Sequence, residues 1–153
     1  HGISGTKLVS YPEEKDETDL ELALTYAEKK GANQIVIVGA MGGRMDMTVA
    51  NILLMAQPGN RSCRIEIWHG EQTGWVIKPP GEDISGHPGD IISLIPIGGC
   101  ASGITTRGLK YSLNNEDLSI VTIRGISNQM KRSVAHIKLS EGLLLVIHTS
   151  CRT

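Results

Sequence analysis

Apolar positions follow two different rhythms along the chain. Between Thr18 and Lys30, Leu20, Leu22, Ala23, Leu24 and Ala27 recur at helical spacing and predict a helix with one apolar face. Thr18 and Glu21 have the spacing of a capping box, and Gly31 is a natural stop. The run "QIVIV" (Gln34–Val38) is unbroken and β-branched, as in a buried parallel strand. A second helix is expected from about Asp46 to Ala56, ended by "QPGN". With "KLVSY" (Lys7–Tyr11) as an earlier strand, the order strand–helix–strand–helix implies a parallel sheet with right-handed crossovers. From Arg61 onward the helical period disappears. Short alternating runs replace it: "RIEIWH", "GWVIK", "IISLIPI", "LSIVTIRGIS", "SVAHIKL" and "LLLVIHTS", separated by Gly, Pro, Asn and Ser. Such runs predict an antiparallel β-sandwich or barrel-like module. The fold class is therefore α/β plus all-β, with an α/β part over 1–59 and a β-sandwich over 60–153.

Composition narrows the function. The net charge is -1, so no basic field invites nucleic acid. Aromatic residues make up only 3% and Phe is absent, which leaves little for stacking on bases. No apolar run reaches the roughly 18 residues of a membrane span. Cys63, Cys100 and Cys151 lack metal-ligand spacing, and a reduced cytoplasmic protein is expected.

Chemistry concentrates at two places in the first part. "YPEEKDETDLELAL" crowds carboxylates ahead of the first helix. Taken one at a time, Asp16, Asp19 and Asp46 need be no more than acidic residues at helix starts, where they complement the macrodipole. Asp16 and Asp19, three apart, share a face of a first helical turn. With Asp46 they would gather at the carboxyl ends of parallel strands, where open sheets bind ligands. Hard oxygen ligands there suit Mg²⁺. "GAMGGRMD" adds Gly42 and Gly43, which allow close backbone approach, and Arg44, a planar fork for phosphate. The loop has neither Gly-Lys-Ser/Thr nor G-x-G-x-x-G. Together the two segments point to a Mg²⁺–nucleotide phosphate site.

These motifs, in order with "GDIISLIPIG", "GITTRGLKYSL" and "GISNQM", resemble the thiamine pyrophosphokinase family over nearly the whole chain. The resemblance implies transfer of the diphosphoryl group of ATP to the thiamine hydroxyl, giving thiamine diphosphate and AMP. It implies a partial α/β catalytic (ATP/Mg) domain followed by a thiamine-binding antiparallel β-sandwich. It also implies a homodimer with active sites at the subunit interface. Carried over by motif, Asp16, Asp19 and Asp46 become metal ligands and, with Arg44, catalytic residues. Lys15, Gly42, Gly43 and Asn51 fall to the ATP site. Tyr111 would face thiamine, and Ser127 and Asn128 would hydrogen-bond its aminopyrimidine. Without the resemblance, Ser127–Asn128 reads as a turn pair, Thr105 and Thr106 as strand residues, and Trp68 and Trp75 as sandwich packing. None of the five histidines has ligand spacing.

Two departures from the family pattern bear on activity. Met47 stands where a polar residue usually follows the Asp. No Asp-rich segment precedes Lys7, so the chain is expected to lack part of the metal site and to turn over little as written. In-line attack on the β-phosphorus needs positioning and charge neutralisation, from Mg²⁺, Lys15 and Arg44, with Asp46 or Asp19 accepting the proton. The alternatives are a related pterin diphosphokinase or a non-catalytic thiamine- or nucleotide-binding module.

Overall fold

The computed structural model describes residues 9–12, 16–57, 63–121 and 123–151. Helix α1 covers Asp19–Lys29. Its start is set as the sequence predicts: Thr18 is the N-cap, and its hydroxyl accepts from the Glu21 N–H at 3.2 Å. Leu24 carries the buried face, and Gly31 follows the end at a positive φ of 83°. Strand β1 (Gln34–Val38) leads through the glycine loop into helix α2 (Met45–Leu54). The chain returns as strand β2 (Arg64–His69), which pairs parallel with β1 from Gln34↔Arg64 to Val38↔Trp68. Leu24, Ile37, Met55, Ile65 and Ile67 join one core cluster, with Ile35 and Ile52 packed against it.

Two expectations differ here. The apolar run of β1 predicts burial on both faces, yet only Ile37 is buried, and Val36 and Val38 are exposed. Among the described residues β1 is the edge strand of its sheet, and one of its faces is left open. Of the expected strand Lys7–Tyr11, Lys7 and Leu8 lie outside the described residues, and Val9–Tyr11 take no strand conformation.

The first sheet does not stop at β2. Strand β3 (Gln72–Ile77) pairs antiparallel with β2, and the order runs β1-β2-β3-β10-β5-β8. Here β5 is Ile91–Pro96, β8 is Asn128–Gln129 and β10 is Leu144–Thr149. A second, antiparallel sheet has the order β4-β9-β6-β7, from Gly81–Ser85, Val134–Lys138, Ala101–Arg107 and Glu116–Leu118. Alternation fills the space between the sheets. Ile92, Leu94, Leu144 and Val146 of the first join Ile84, Ile104, Leu118, Ala135 and Ile137 of the second in one buried cluster. At the seam, Arg64 donates to Glu66 and Glu82 and stacks over Trp75, whose indole N–H donates to Glu82. Trp75 is thus buried sandwich packing, whereas Trp68 is half exposed and donates to Glu66.

The run "LSIVTIRGIS" predicts one strand, but among its described residues only Leu118 at its start belongs to one, β7. Ile120, Val121, Ile123 and Ile126 face solvent. The cause lies at the end of the run. The Gly125 carbonyl accepts from Leu94 N at 2.8 Å, so close that an added Cβ would lie 2.2 Å from the Leu94 oxygen. Ser127 turns the chain with a φ of 57°, and its N–H donates to Ser93 Oγ at 3.0 Å.

Candidate functional site

The glycine loop lies between β1 and α2. Gly42 has a φ of 96°, which an L side chain adopts only with strain, and an added Cβ at Gly43 would meet nothing within 4 Å. The loop is held from behind by Asn51, a buried side chain on α2 whose Nδ2 donates to the Ala40 carbonyl at 3.0 Å. That amide proton therefore shapes the loop rather than facing a ligand. At the mouth, Arg44 Nε and Nη2 donate to the two Asp46 oxygens at 3.1 and 2.5 Å, and the Met47 N–H donates to Asp46 Oδ1 at 2.9 Å. The bidentate guanidinium holds the exposed Asp46 carboxyl below the usual carboxylate range, and Asp46 in turn raises Arg44. An oriented, solvent-exposed fork at a helix start suits a phosphate chain.

The acidic segment sits apart from this pair. Asp16 is exposed ahead of α1. Asp19 opens the helix and lines a hollow of about 410 Å³ with Val9, Tyr11, Leu22, Ala23 and Tyr26, to which Arg44 and Asp46 do not contribute. No three His, Cys, Asp or Glu side chains converge to hold a metal among the described residues. The structure thus does not bring Asp16, Asp19 and Asp46 into one cluster. Lys15 lies outside the described residues.

The second region is at the far end of the sandwich. Leu94, Tyr111, Ser112, Leu113, Arg124, Gly125 and Asn128 line a hollow of about 320 Å³. Tyr111 is exposed, with Lys110 Nζ 5.5 Å from its ring centroid. Asn128 is buried and reads the Tyr111 backbone like a strand: Oδ1 accepts from Tyr111 N at 2.9 Å, and Nδ2 donates to Tyr111 O at 2.6 Å. Its Oδ1 also accepts from Gln129 N at 2.9 Å, so the acceptor lone pairs are taken. Ser127 is exposed at the rim. The segment that presents Tyr111 is stitched down by two strand residues. Thr106 Oγ1 accepts from Leu113 N at 2.9 Å, and Thr105 Oγ1 accepts from Asn115 N at 3.0 Å. Sequence reasoning left Arg124 and both threonines without a part here. The pair "TT" ahead of "RGLKY" was the available signal, because adjacent strand residues face opposite sides and both hydroxyls find loop amides.

A sequence model described as "Thiamin pyrophosphokinase, catalytic domain" matches residues 3–67, and one described as "Thiamin pyrophosphokinase, vitamin B1 binding domain" matches 77–144. The chain belongs to the thiamine pyrophosphokinase family. The glycine loop falls in the first match and the Tyr111 hollow in the second. A thiamine pyrophosphokinase of Bacillus subtilis is 34% identical over 142 residues, 92% of this chain and 66% of the relative. Thiamine pyrophosphokinase 2 of Arabidopsis thaliana is 28% identical, over 94% of this chain and 57% of the relative. The crystal structure of the Bacillus subtilis enzyme superposes with a TM-score of 0.83 at 30% identity, over 90% of this chain and 65% of that one. That of Geobacillus thermodenitrificans gives 0.78 at 30% identity, over 94% and 66%. The chain thus spans less than two thirds of the length of the curated thiamine pyrophosphokinases it matches.

Proposed function

We propose that the chain belongs to a thiamine pyrophosphokinase that moves the diphosphoryl group of ATP onto the hydroxyl of thiamine, releasing AMP. One observation carries this: a phosphate-suited glycine loop with an oriented Arg44 and a braced aromatic hollow at Tyr111 occur in one sheet framework, within a family-wide match. In this reading residues 1–59 serve ATP and 60–153 serve thiamine. Gly42 and Gly43 admit the phosphate chain, and Arg44 neutralises it, with Lys15 as a further cation. Asn51 keeps the loop in shape. Asp46 orients that fork through its two hydrogen bonds. The thiamine hydroxyl proton goes to Asp46 or Asp19. Tyr111 offers an aromatic face to a cationic thiazolium. Asn128 acts by holding Tyr111, and the Ser127 hydroxyl reads the aminopyrimidine.

Mg²⁺ fits the donor chemistry of Asp16 and Asp19, which are hard, exposed oxygen ligands. This ion usually takes one or two carboxylates and completes its shell with phosphate oxygens and water, so a cluster of three is not required. When bound, Mg²⁺ supplies charge neutralisation on the transferring phosphates. A homodimer is supported by the exposed Ile120, Val121, Ile123 and Ile126 beside the Tyr111 hollow, an apolar patch suited to a second subunit. No helix among the described residues is long and apolar enough to cross a membrane.

Product analysis with ATP, Mg²⁺ and thiamine tests the reading. AMP formed in step with thiamine diphosphate is expected. ADP in its place would overturn diphosphoryl transfer. Thiamine binding without any thiamine-dependent product would favour a non-catalytic binding module.

A further inference from the structure

The outer face of the second sheet carries a different kind of site. Strand register sets Asp83, His136 and Arg107 side by side across β4, β9 and β6, with Gly81, Lys138 and Thr105 in the neighbouring row. These positions alternate with Ile84, Ala135, Thr106 and Ile137, which are buried. Arg132, from the turn before β9, completes the rim. Thr105, Arg107, Gly108, Arg132, His136 and Lys138 line one hollow of about 450 Å³. Asp83 is paired with the imidazole: its Oδ1 lies 2.7 Å from His136 Nδ1. Arg107, Arg132 and Lys138 are exposed, and no carboxylate among the described residues is within ion-pair distance of them.

The chain has a net charge of -1, so three unpaired cations around one hollow are a local excess, not the overall trend. Like charges held together repel unless an anion joins them. We propose that this hollow binds a small oligophosphate, with Arg107 and Arg132 as planar forks and Lys138 as a point charge. Thr105 adds a hydroxyl donor, because its oxygen already accepts from Asn115 N. The site takes a compact polyanion rather than a nucleic-acid strand: its cations gather around one hollow, and no Phe, Tyr or Trp lines it for base stacking. It is separate from the glycine loop and does not depend on the reaction proposed above. Through Thr105 it touches the segment that presents Tyr111.

Calorimetric titration with pyrophosphate at fixed ionic strength tests the assignment. The Arg44→Ala variant serves as background, so that the glycine loop does not contribute. Saturable binding should persist in that background. Adding Arg107→Ala or Lys138→Ala should weaken it about tenfold each, the loss expected for one charge-assisted contact. Arg107→Lys, which keeps the charge and loses the fork, should fall between. All three positions are exposed, and circular dichroism would verify the fold of each variant. Binding that ignores Arg107 and Lys138, or that vanishes with Arg44→Ala alone, would overturn the proposal. So would equal displacement by chloride, or tighter binding of a short oligonucleotide than of pyrophosphate.

Discussion

The glycine loop and the Tyr111 hollow are built on opposite plans. At the loop, the charged groups Arg44 and Asp46 are exposed and bonded chiefly to each other, with Asn51 supporting the backbone beneath. At the hollow, Asn128, Thr105, Thr106 and Ser93 spend their polar atoms on loop amides, leaving Tyr111 as the outward group. The first region leaves its charged pair open to solvent. The second uses its chemistry to hold a shape. Substitutions should therefore separate cleanly, with activity lost at one end and stability at the other.

The largest effect is expected at Asp90, in the sandwich. This carboxylate is 2% exposed and accepts from His87 N at 2.9 Å, Cys151 N at 3.0 Å and His148 Nε2 at 2.8 Å. Burial pushes its pKa up, but the N–H groups of Cys151 and His87 and the His148 ring outweigh that and hold it at about 2. Asp90→Ala leaves three part-buried donors without their acceptor and should cost about 3–5 kcal/mol in urea unfolding. The sign with pH follows from the depressed value. The contribution, on the order of 2 kcal/mol, is present above about pH 4 and is lost as pH falls through about 2. Asp90→Asn should erase that acid dependence, and an unchanged acid limb would contradict the assignment.

Next comes Arg44→Ala, which should lower turnover about a hundredfold, the scale of a lost charge-stabilising donor, and leave the melting temperature unchanged. A large fall in melting temperature would blur the contrast between the two regions. Thr106→Val removes the acceptor of a buried amide and should cost about 1–3 kcal/mol. It should also raise the KM for thiamine more than that for ATP. Ser127→Gly is the smallest change. Relief of a left-handed non-glycine residue should stabilise the chain by about 1 kcal/mol or less, measured by thermal unfolding.

What was legible in the sequence was local. Thr18 and Gly31 mark the ends of α1 within a residue or so, and the alternating runs after Arg61 locate most strands of the sandwich. Strand β4 was not legible, because Ile84 is its one buried position and its neighbours are polar or glycine. The run from Leu118 to Ser127 misled for the reverse reason. Its β-branched composition reads as strand, while the close pairing of Gly125 with Leu94 turns the chain. The site residues divide in the same way. Arg44 and Asp46 meet at a separation of two and could be read together. The Asp90–His148 contact spans 58 positions and leaves no local trace. Asn128 was visible as an amide, but only its distant partner Tyr111 reveals that the amide is already in use.

Strand β2 is bonded parallel to β1 on one side and antiparallel to β3 on the other. The two matched family regions therefore share one continuous beam and have no hinge between them at this point. Severing the chain ahead of β2 would strip β1 of its partner, and severing it behind would leave β3 with a bare edge. The spacing between the glycine loop and the Tyr111 hollow is set by a count of strands. Within one subunit the two regions face each other only through the loops at the ends of that beam's strands.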